Sequence, residues 1–190
     1  MRGSASRSFC SVAPGIAPPE AAYNIAPSQH VPILRRAPEG EYAPRHAIQI
    51  APAFWGLVPV WWKQPLSEKK FSTFNARAET ITESDTFSGA FRQNRCLVPA
   101  SGFYAWSDGT PFAFALKEQD WFCFAGLWSP AMIDGSEFDT FTLITTEPNL
   151  AVAGIATSMP VILSPRDYTR WLDTSARDPL ALLKPCPSDA

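Results

Sequence analysis

Through the central half of the chain, apolar and polar positions alternate with a period of two. Phe112, Phe114 and Leu116 share one phase; Trp121 with Cys123, and Phe122 with Phe124, fill both; Phe138 to Thr145 alternates again. Successive side chains of a strand point to opposite faces, so these runs predict strands, and the turn signals Asp108-Gly109 and Asp134-Gly135 between them predict antiparallel connections. His30 to Arg35 reads as a strand, and Ala47 to Val60 as strand interrupted by Pro52 and Pro59, which confine it to short or edge pieces. Arg36 to Arg45, with Pro38, Gly40 and Pro44, reads as a loop. Helical spacing is rarer. Ser84 to Gln93 predicts a helix capped by Ser84, with Phe87 and Phe91 on one face. Ser164-Pro165 starts another, carrying Tyr168, Trp171 and Leu172, and Ala181 to Lys184 ends a last one. The expectation is an α+β fold: a mainly antiparallel, barrel-like sheet with short flanking helices. Residues 1–22, rich in Ser, Ala and Pro, form an irregular arm ahead of a single domain over 23–190.

Composition narrows the picture. The 190 residues suit one domain with a real core, 46% hydrophobic and 18% charged. A net charge of −2 argues against a general basic coat for nucleic acid, so anion binding must come from a local patch, for which Arg77, Arg92 and Arg95 are candidates. Cys10, Cys96, Cys123 and Cys186 form no C-x-x-C pair, and His30 and His46 lie far apart, so neither a metal nor a cofactor is expected. Cys96 and Cys123 sit in apolar runs and read as small buried hydrophobes. No apolar run reaches membrane-spanning length and no signal-peptide core is visible; a cytoplasmic monomer with reduced thiols is the expectation.

Candidate chemistry concentrates between Phe71 and Trp106. Asn75, Arg77 and Glu79 stand on alternate residues, and in an extended chain they would share a face, offering donor, donor and acceptor to an anionic or nucleobase ligand. The plainer reading is an edge strand with a solvated face. The adjacent Trp61 and Trp62 would point to opposite faces of a strand: one or both are core, or one is a platform for an exposed base, a contact contributing roughly 1–3 kcal/mol.

Taken with Asn75-Ala76-Arg77-Ala78-Glu79-Thr80, the segment Cys96-Leu97-Val98-Pro99-Ala100-Ser101-Gly102-Phe103-Tyr104 with Trp106 resembles the SOS-response-associated peptidase family. Tyr23 to Gln29, Trp55 to Pro59 with Trp61-Trp62, Phe124 to Trp128, Ile144 to Asn149 and Met159 to Leu163 match further motifs in the family's order. The resemblance implies a β-rich fold with helices flanking a positively charged cleft, and recognition of abasic sites in single-stranded DNA. It assigns Pro27, Trp61, Trp62, Asn75, Arg77, Glu79 and Thr145 to DNA binding, with Asn75 also orienting the sugar. It further implies a covalent step. An N-terminal Cys, exposed by autoproteolysis, condenses its amine and thiol with the ring-opened aldehyde to give a thiazolidine, assisted by a Glu and a His.

Those last groups are replaced here. The family carboxylate falls on Ala105, in Gly102-Phe103-Tyr104-Ala105-Trp106, and the imidazole on Ala156; Ser158 stands where an Arg is usual. If Arg7-Ser8-Phe9 echoes the family's opening, Ser6 occupies the nucleophile position, and Cys10 is a thiol without a terminal amine. The segment between Phe9 and Tyr23 is shorter than is usual in the family, and the sequence stops at Ala190, before the final strand region that family members typically carry. The expectation is a module that binds single-stranded or abasic DNA without crosslinking it. A crosslinking enzyme with another nucleophile and a degenerate fragment remain the alternatives.

Overall fold

The computed structural model describes residues 11–12, 22–37, 47–69, 72–133 and 135–190. Its strands are β1 (Ser11–Val12), β2 (His30–Arg36), β3 (Ile48–Trp55), β4 (Asn75–Arg77), β5 (Arg95–Ala100), β6 (Phe103–Ser107), β7 (Thr110–Phe114), β8 (Phe122–Ile133), β9 (Ser136–Thr146), β10 (Met159–Pro160) and β11 (Ile162–Leu163). Two short helices, α1 (Ser88–Gln93) and α2 (Tyr168–Leu172), and several 3-10 turns complete it. The order β3-β2-β5-β8-β9 is antiparallel throughout, and β9 returns to β3 in parallel, so five strands close a barrel. Closure pairs β3 and β9 directly and so removes the edges that these two strands would otherwise leave where they meet. β6 and β7 form a separate hairpin turned by Asp108 (φ 49°) and Gly109 (φ 79°), both left-handed as a two-residue turn of this hand requires.

The two faces of the barrel wall carry different cores. Val31, Ile33, Ala53, Cys96, Val98, Phe122, Phe124, Phe141 and Leu143 pack together on one face. Arg35 on β2 reaches across the intervening β3 to Asp139 on β9 on that same face, which makes it the barrel interior. The other face holds Leu34, Leu97, Cys123, Ala125, Leu127 and Ile144 and is covered by Phe91 of α1 and by Tyr168, Trp171 and Leu172 of α2. Gly126 sits where the wall is tightest: a Cβ there would lie 2.9 Å from Cys96 Sγ and 3.1 Å from the Thr142 carbonyl.

Buried polar groups tie the layers together. Arg95 is 3% exposed and donates to the carbonyls of Phe91, Trp171 and Asp173. One guanidinium thus satisfies carbonyls left open at the ends of both helices. Trp171 Nε1 donates to the Cys96 carbonyl at 2.9 Å, and the Cys123 amide donates to the Tyr168 hydroxyl at 2.9 Å. Inside the barrel, Arg35 Nε donates to Asp139 Oδ2 at 2.9 Å and the guanidinium lies 4.3 Å from the Trp128 ring centre. Burial pushes the Asp139 carboxyl up, against the pull of Arg35. Desolvation outweighs the attraction, so this group favours the folded state most below the ordinary carboxylate range and contributes less as pH rises through its folded value.

The strand pattern agrees with the alternation, with several differences. β3 runs unbroken through Pro52 and is not an edge: Pro52 opposes Pro32 of β2, and on the other side β3 is paired to β1 at residues 49–50 and to β9 at 53–55. Pro52 falls where that second edge passes from one partner to the next, so no ladder bond is forfeited. The first helix begins at Ser88, not Ser84; the Ser84 carbonyl accepts from the Phe87 and Ser88 amides, and no side chain caps it. Ser164 likewise makes no capping bond, although Pro165 occupies the first position of the turn it opens. The last helical segment is a 3-10 turn, Pro179–Leu182. Cys96 and Cys123 are fully buried. Within the expected irregular arm, Ser11–Val12 adds β1 to β3; the loop at 38–46 with His46, Cys10 and Asp134 lie outside the described residues.

The Arg35–Asp139 pair yields a stability prediction. Asp139→Ala leaves a buried guanidinium uncompensated and lowers unfolding free energy by about 3–5 kcal/mol, whereas the double change Arg35→Met with Asp139→Leu recovers most of that loss. Urea denaturation of the variants measures both.

Candidate nucleic-acid interface

At one end of the barrel, β9 extends past β3. The free edge is taken by β4, which runs parallel to it with Asn75 beside Leu143, Ala76 beside Ile144 and Arg77 beside Thr145. The three residues alternate as the sequence requires: Ala76 is fully buried among the outer-face apolar residues, while Asn75 and Arg77 are exposed on the face that continues the barrel interior. On the opposite edge of β9, Thr145 lies beside Pro160 and Thr146 beside Met159 of β10. The result is a row at the barrel mouth, Arg77, Thr145, Pro160, with Asn75 one step inward; Arg77 and Asn75 are exposed, whereas Thr145 is buried beneath them at 6% exposure.

Glu79 departs from the expected row. The strand stops at Arg77 and residues Ala78–Thr80 form a 3-10 turn, so Glu79 does not share the strand face. It still closes the end of the row, because Thr146 Oγ1 donates to Glu79 Oε1 at 3.4 Å.

Pro27 joins this cluster through Trp55. Ser28 donates its amide to the Trp55 carbonyl and Trp55 its amide to the Gln29 carbonyl, both at 2.9 Å. These bonds hold Ser28 at φ 71°, a left-handed conformation uncommon for a residue with a Cβ. The Trp55 indole stacks on Phe141, with ring centres 5.9 Å apart, and donates Nε1 to the Phe74 carbonyl at 2.8 Å, one residue before Asn75. Trp55 therefore fixes both the Pro27 turn and the start of β4. In the sequence Trp55 belongs to a motif but shows no sign of this task beyond the Trp-Gly step, where the strand must end and turn.

Trp61 and Trp62 occupy a turn, not a strand, so strand alternation does not govern them. Their rings meet edge to face at 6.1 Å. Trp61 is exposed and donates Nε1 to the Asp85 carbonyl at 3.3 Å; Trp62 packs partly buried against Val58 and Ala131. Among the described residues no hydrogen bond or ring contact joins this pair to the Asn75–Arg77 row.

The expected arginine patch is not formed by all three candidates. Arg77 and Arg92 are exposed, but Arg95 is consumed by helix-end carbonyls. Ala105 lies buried on the hairpin, on the same strand as Phe103, which stacks on Phe114 and meets Phe124 of the barrel interior edge-on. Ala156 is half-buried in the turn before β10. Methyl groups thus occupy both positions, and neither can transfer a proton. Burial pushes the thiols of Cys96 and Cys186 up, away from the thiolate form a nucleophile needs.

The model of the SOS response associated peptidase family matches residues 6–190. The chain belongs to the SOS response associated peptidase family. Within that family it is 34% identical over 178 residues to abasic site processing protein YoqW of Bacillus subtilis, covering 88% of this chain and 75% of that protein. It is 36% identical over 163 residues to abasic site processing protein YoaM of the same organism, covering 83% and 68%. A crystal structure of a Bordetella bronchiseptica protein superposes with a TM-score of 0.73 at 28% identity, covering 87% of this chain and 82% of that one. No described helix is long and apolar enough to cross a membrane.

The packing separates residues that build the mouth from residues that only line it. The side chains of Asn75 and Arg77 make no hydrogen bond among the described residues and are exposed, so Asn75→Ala and Arg77→Ala leave the unfolding free energy within about 0.5 kcal/mol of the parent. Trp55→Phe removes the indole bond that anchors β4 and costs about 1 kcal/mol. Chemical denaturation distinguishes the two classes.

Proposed function

We propose that this chain binds single-stranded DNA at abasic sites and holds the site without forming the thiazolidine crosslink of its family. The observation that carries this is the mouth row itself. Asn75, Arg77 and Thr145 stand together on β4 and β9, with Pro27 tied to the same place through Trp55. The names of YoqW and YoaM support the DNA lesion as the target. In this reading Arg77 meets a backbone phosphate, Asn75 the sugar, and Thr145 and Pro27 shape the path of the strand. Glu79 borders the row, and Trp61 offers an exposed ring to a neighbouring base while Trp62 backs it. The methyl side chains at Ala105 and Ala156, and the raised thiols, favour binding without covalent capture. On this reading the protein is a pseudoenzyme of the DNA damage response, cytoplasmic, monomeric and free of metal.

Two measurements test the proposal. Affinity for a single-stranded oligonucleotide carrying one abasic site falls with salt, because phosphate contacts release counterions, and Arg77→Ala both weakens binding and reduces the slope of log K against log salt by about 0.7. Unchanged affinity in that variant would overturn the site assignment. A denaturing gel after incubation with the same oligonucleotide, with no reductant present, shows no shifted protein band; a band that survives would establish a crosslinking enzyme instead.

A further inference from the structure

We infer that Asn149 is a positioning residue for the mouth, clasping the C-terminal segment 185–190 so that DNA binding and the seating of that segment depend on one another. The inference rests on the abasic-DNA reading above. Asn149 follows the end of β9 and opens the turn that brings the chain back as β10. Its Oδ1 accepts from the Ala151 and Val152 amides, both at 3.1 Å, and its carbonyl accepts from the Val152 and Ala153 amides at 3.1 and 2.9 Å. A short carboxamide bonded to the backbone two residues on stabilises a turn. The Val152 carbonyl then accepts from the Ile155 and Ala156 amides, which fixes the stretch that carries Ala156. The Asn149 amide itself donates to Met159 Sδ at 3.3 Å, and Met159 stands beside Thr146 while Pro160 stands beside Thr145. Asn149 therefore sets where β10 lies along one side of the mouth row.

The other half of the same carboxamide serves the C-terminal segment. Nδ2 donates to the Cys186 carbonyl at 3.1 Å and lies 3.7 Å from Cys186 Sγ. Two further bonds hold the segment: the Leu150 amide donates to Ser188 Oγ at 3.1 Å, and Lys117 Nζ donates to the Asp189 carbonyl at 3.2 Å. Residues 187–190 are exposed. With Cys186 they close a cavity of about 50 Å³ whose other walls include Phe103, Val152 and Met159. A segment held by a few solvent-facing polar bonds and little buried apolar contact opens locally at low free energy. Lifting it leaves Nδ2 without its protein acceptor and loosens the turn that places β10. A strand seated against Thr145 and Pro160 favours the held turn, and so the seated segment. Linkage makes the effect reciprocal: what releases the segment weakens DNA binding, and bound DNA keeps the segment down.

The experiment follows alkylation of Cys186 by iodoacetamide in the full chain, read by mass spectrometry of its proteolytic peptide, with and without a saturating single-stranded oligonucleotide bearing one abasic site. Cys96 and Cys123 are fully buried and report any unfolding. The oligonucleotide slows Cys186 alkylation about fivefold, the low end of coupling between linked sites. Asn149→Ser keeps a neutral oxygen for the turn amides but is too short to reach Cys186. It speeds alkylation and weakens oligonucleotide binding by about the same factor. The slope of log K against log salt stays at the parent value, because no phosphate contact is lost. Ser188→Ala acts in the same direction from the other side of the clasp. Equal alkylation with and without oligonucleotide, or a folded Asn149→Ser that binds like the parent, overturns the inference. If that variant fails to fold, alkylation of the parent and binding by Ser188→Ala decide. Fluorescence anisotropy with the same oligonucleotide keeps the two claims apart: binding by the parent with no effect on Cys186 removes the clasp alone, and absence of binding removes the abasic-DNA reading and the clasp with it.

Discussion

From Asp139 to Thr145 both edges of β9 are filled, and much of the molecule depends on how this is done. One edge holds β8 and then β10; the other holds β3 and then β4. Pairing with β3 closes the barrel and satisfies backbone groups that would otherwise be open on an edge. The handover from β3 to β4 creates the mouth, because β4 is short enough to present Asn75 and Arg77 while its middle residue, Ala76, is held in the outer core.

Three arginines show how position decides what a guanidinium does. Arg35 is enclosed with a carboxylate and an aromatic ring, where it fixes the register of β2 against β9. Arg95 donates to carbonyls that close two helices and lies over the Phe91 and Trp171 rings, so its positive charge does not reach solvent as a binding group. Arg77 is left open at the mouth. A chain of net charge −2 still presents a local cation at the mouth because Arg77 is left exposed there, whereas Arg95 is used internally.

Much of this was legible in the sequence, because period-two alternation is imposed by any sheet with two distinct faces. The strands around Phe138 to Thr145 and the Asp108-Gly109 turn follow directly from it, as does the exposure of Asn75 and Arg77 around a buried Ala76. The errors share a cause: tertiary partners overrode local rules. Pro52 was tolerated inside a strand because of a change of partner two positions away. Ser84 caps nothing, since the chain turns once more before the helix begins. Glu79 left the row because the strand ended early, and Trp61-Trp62 sit in a turn whose geometry no alternation predicts. Arg95 could not be told from Arg77 by spacing, because its partners come from α1 and α2.

The pairings that make the mouth join segments remote in sequence, whereas β8 and β9 are neighbours in sequence, with Ile133 paired to Ser136. Loop-closure entropy makes the remote contacts late ones during folding. The hairpin of β8 and β9 can form early, but β4 acquires its position only when β9 has already been seated. A nascent or partly opened chain therefore has most of its sheet and none of its mouth row, so the recognition proposed for that row would be confined to molecules that have finished folding.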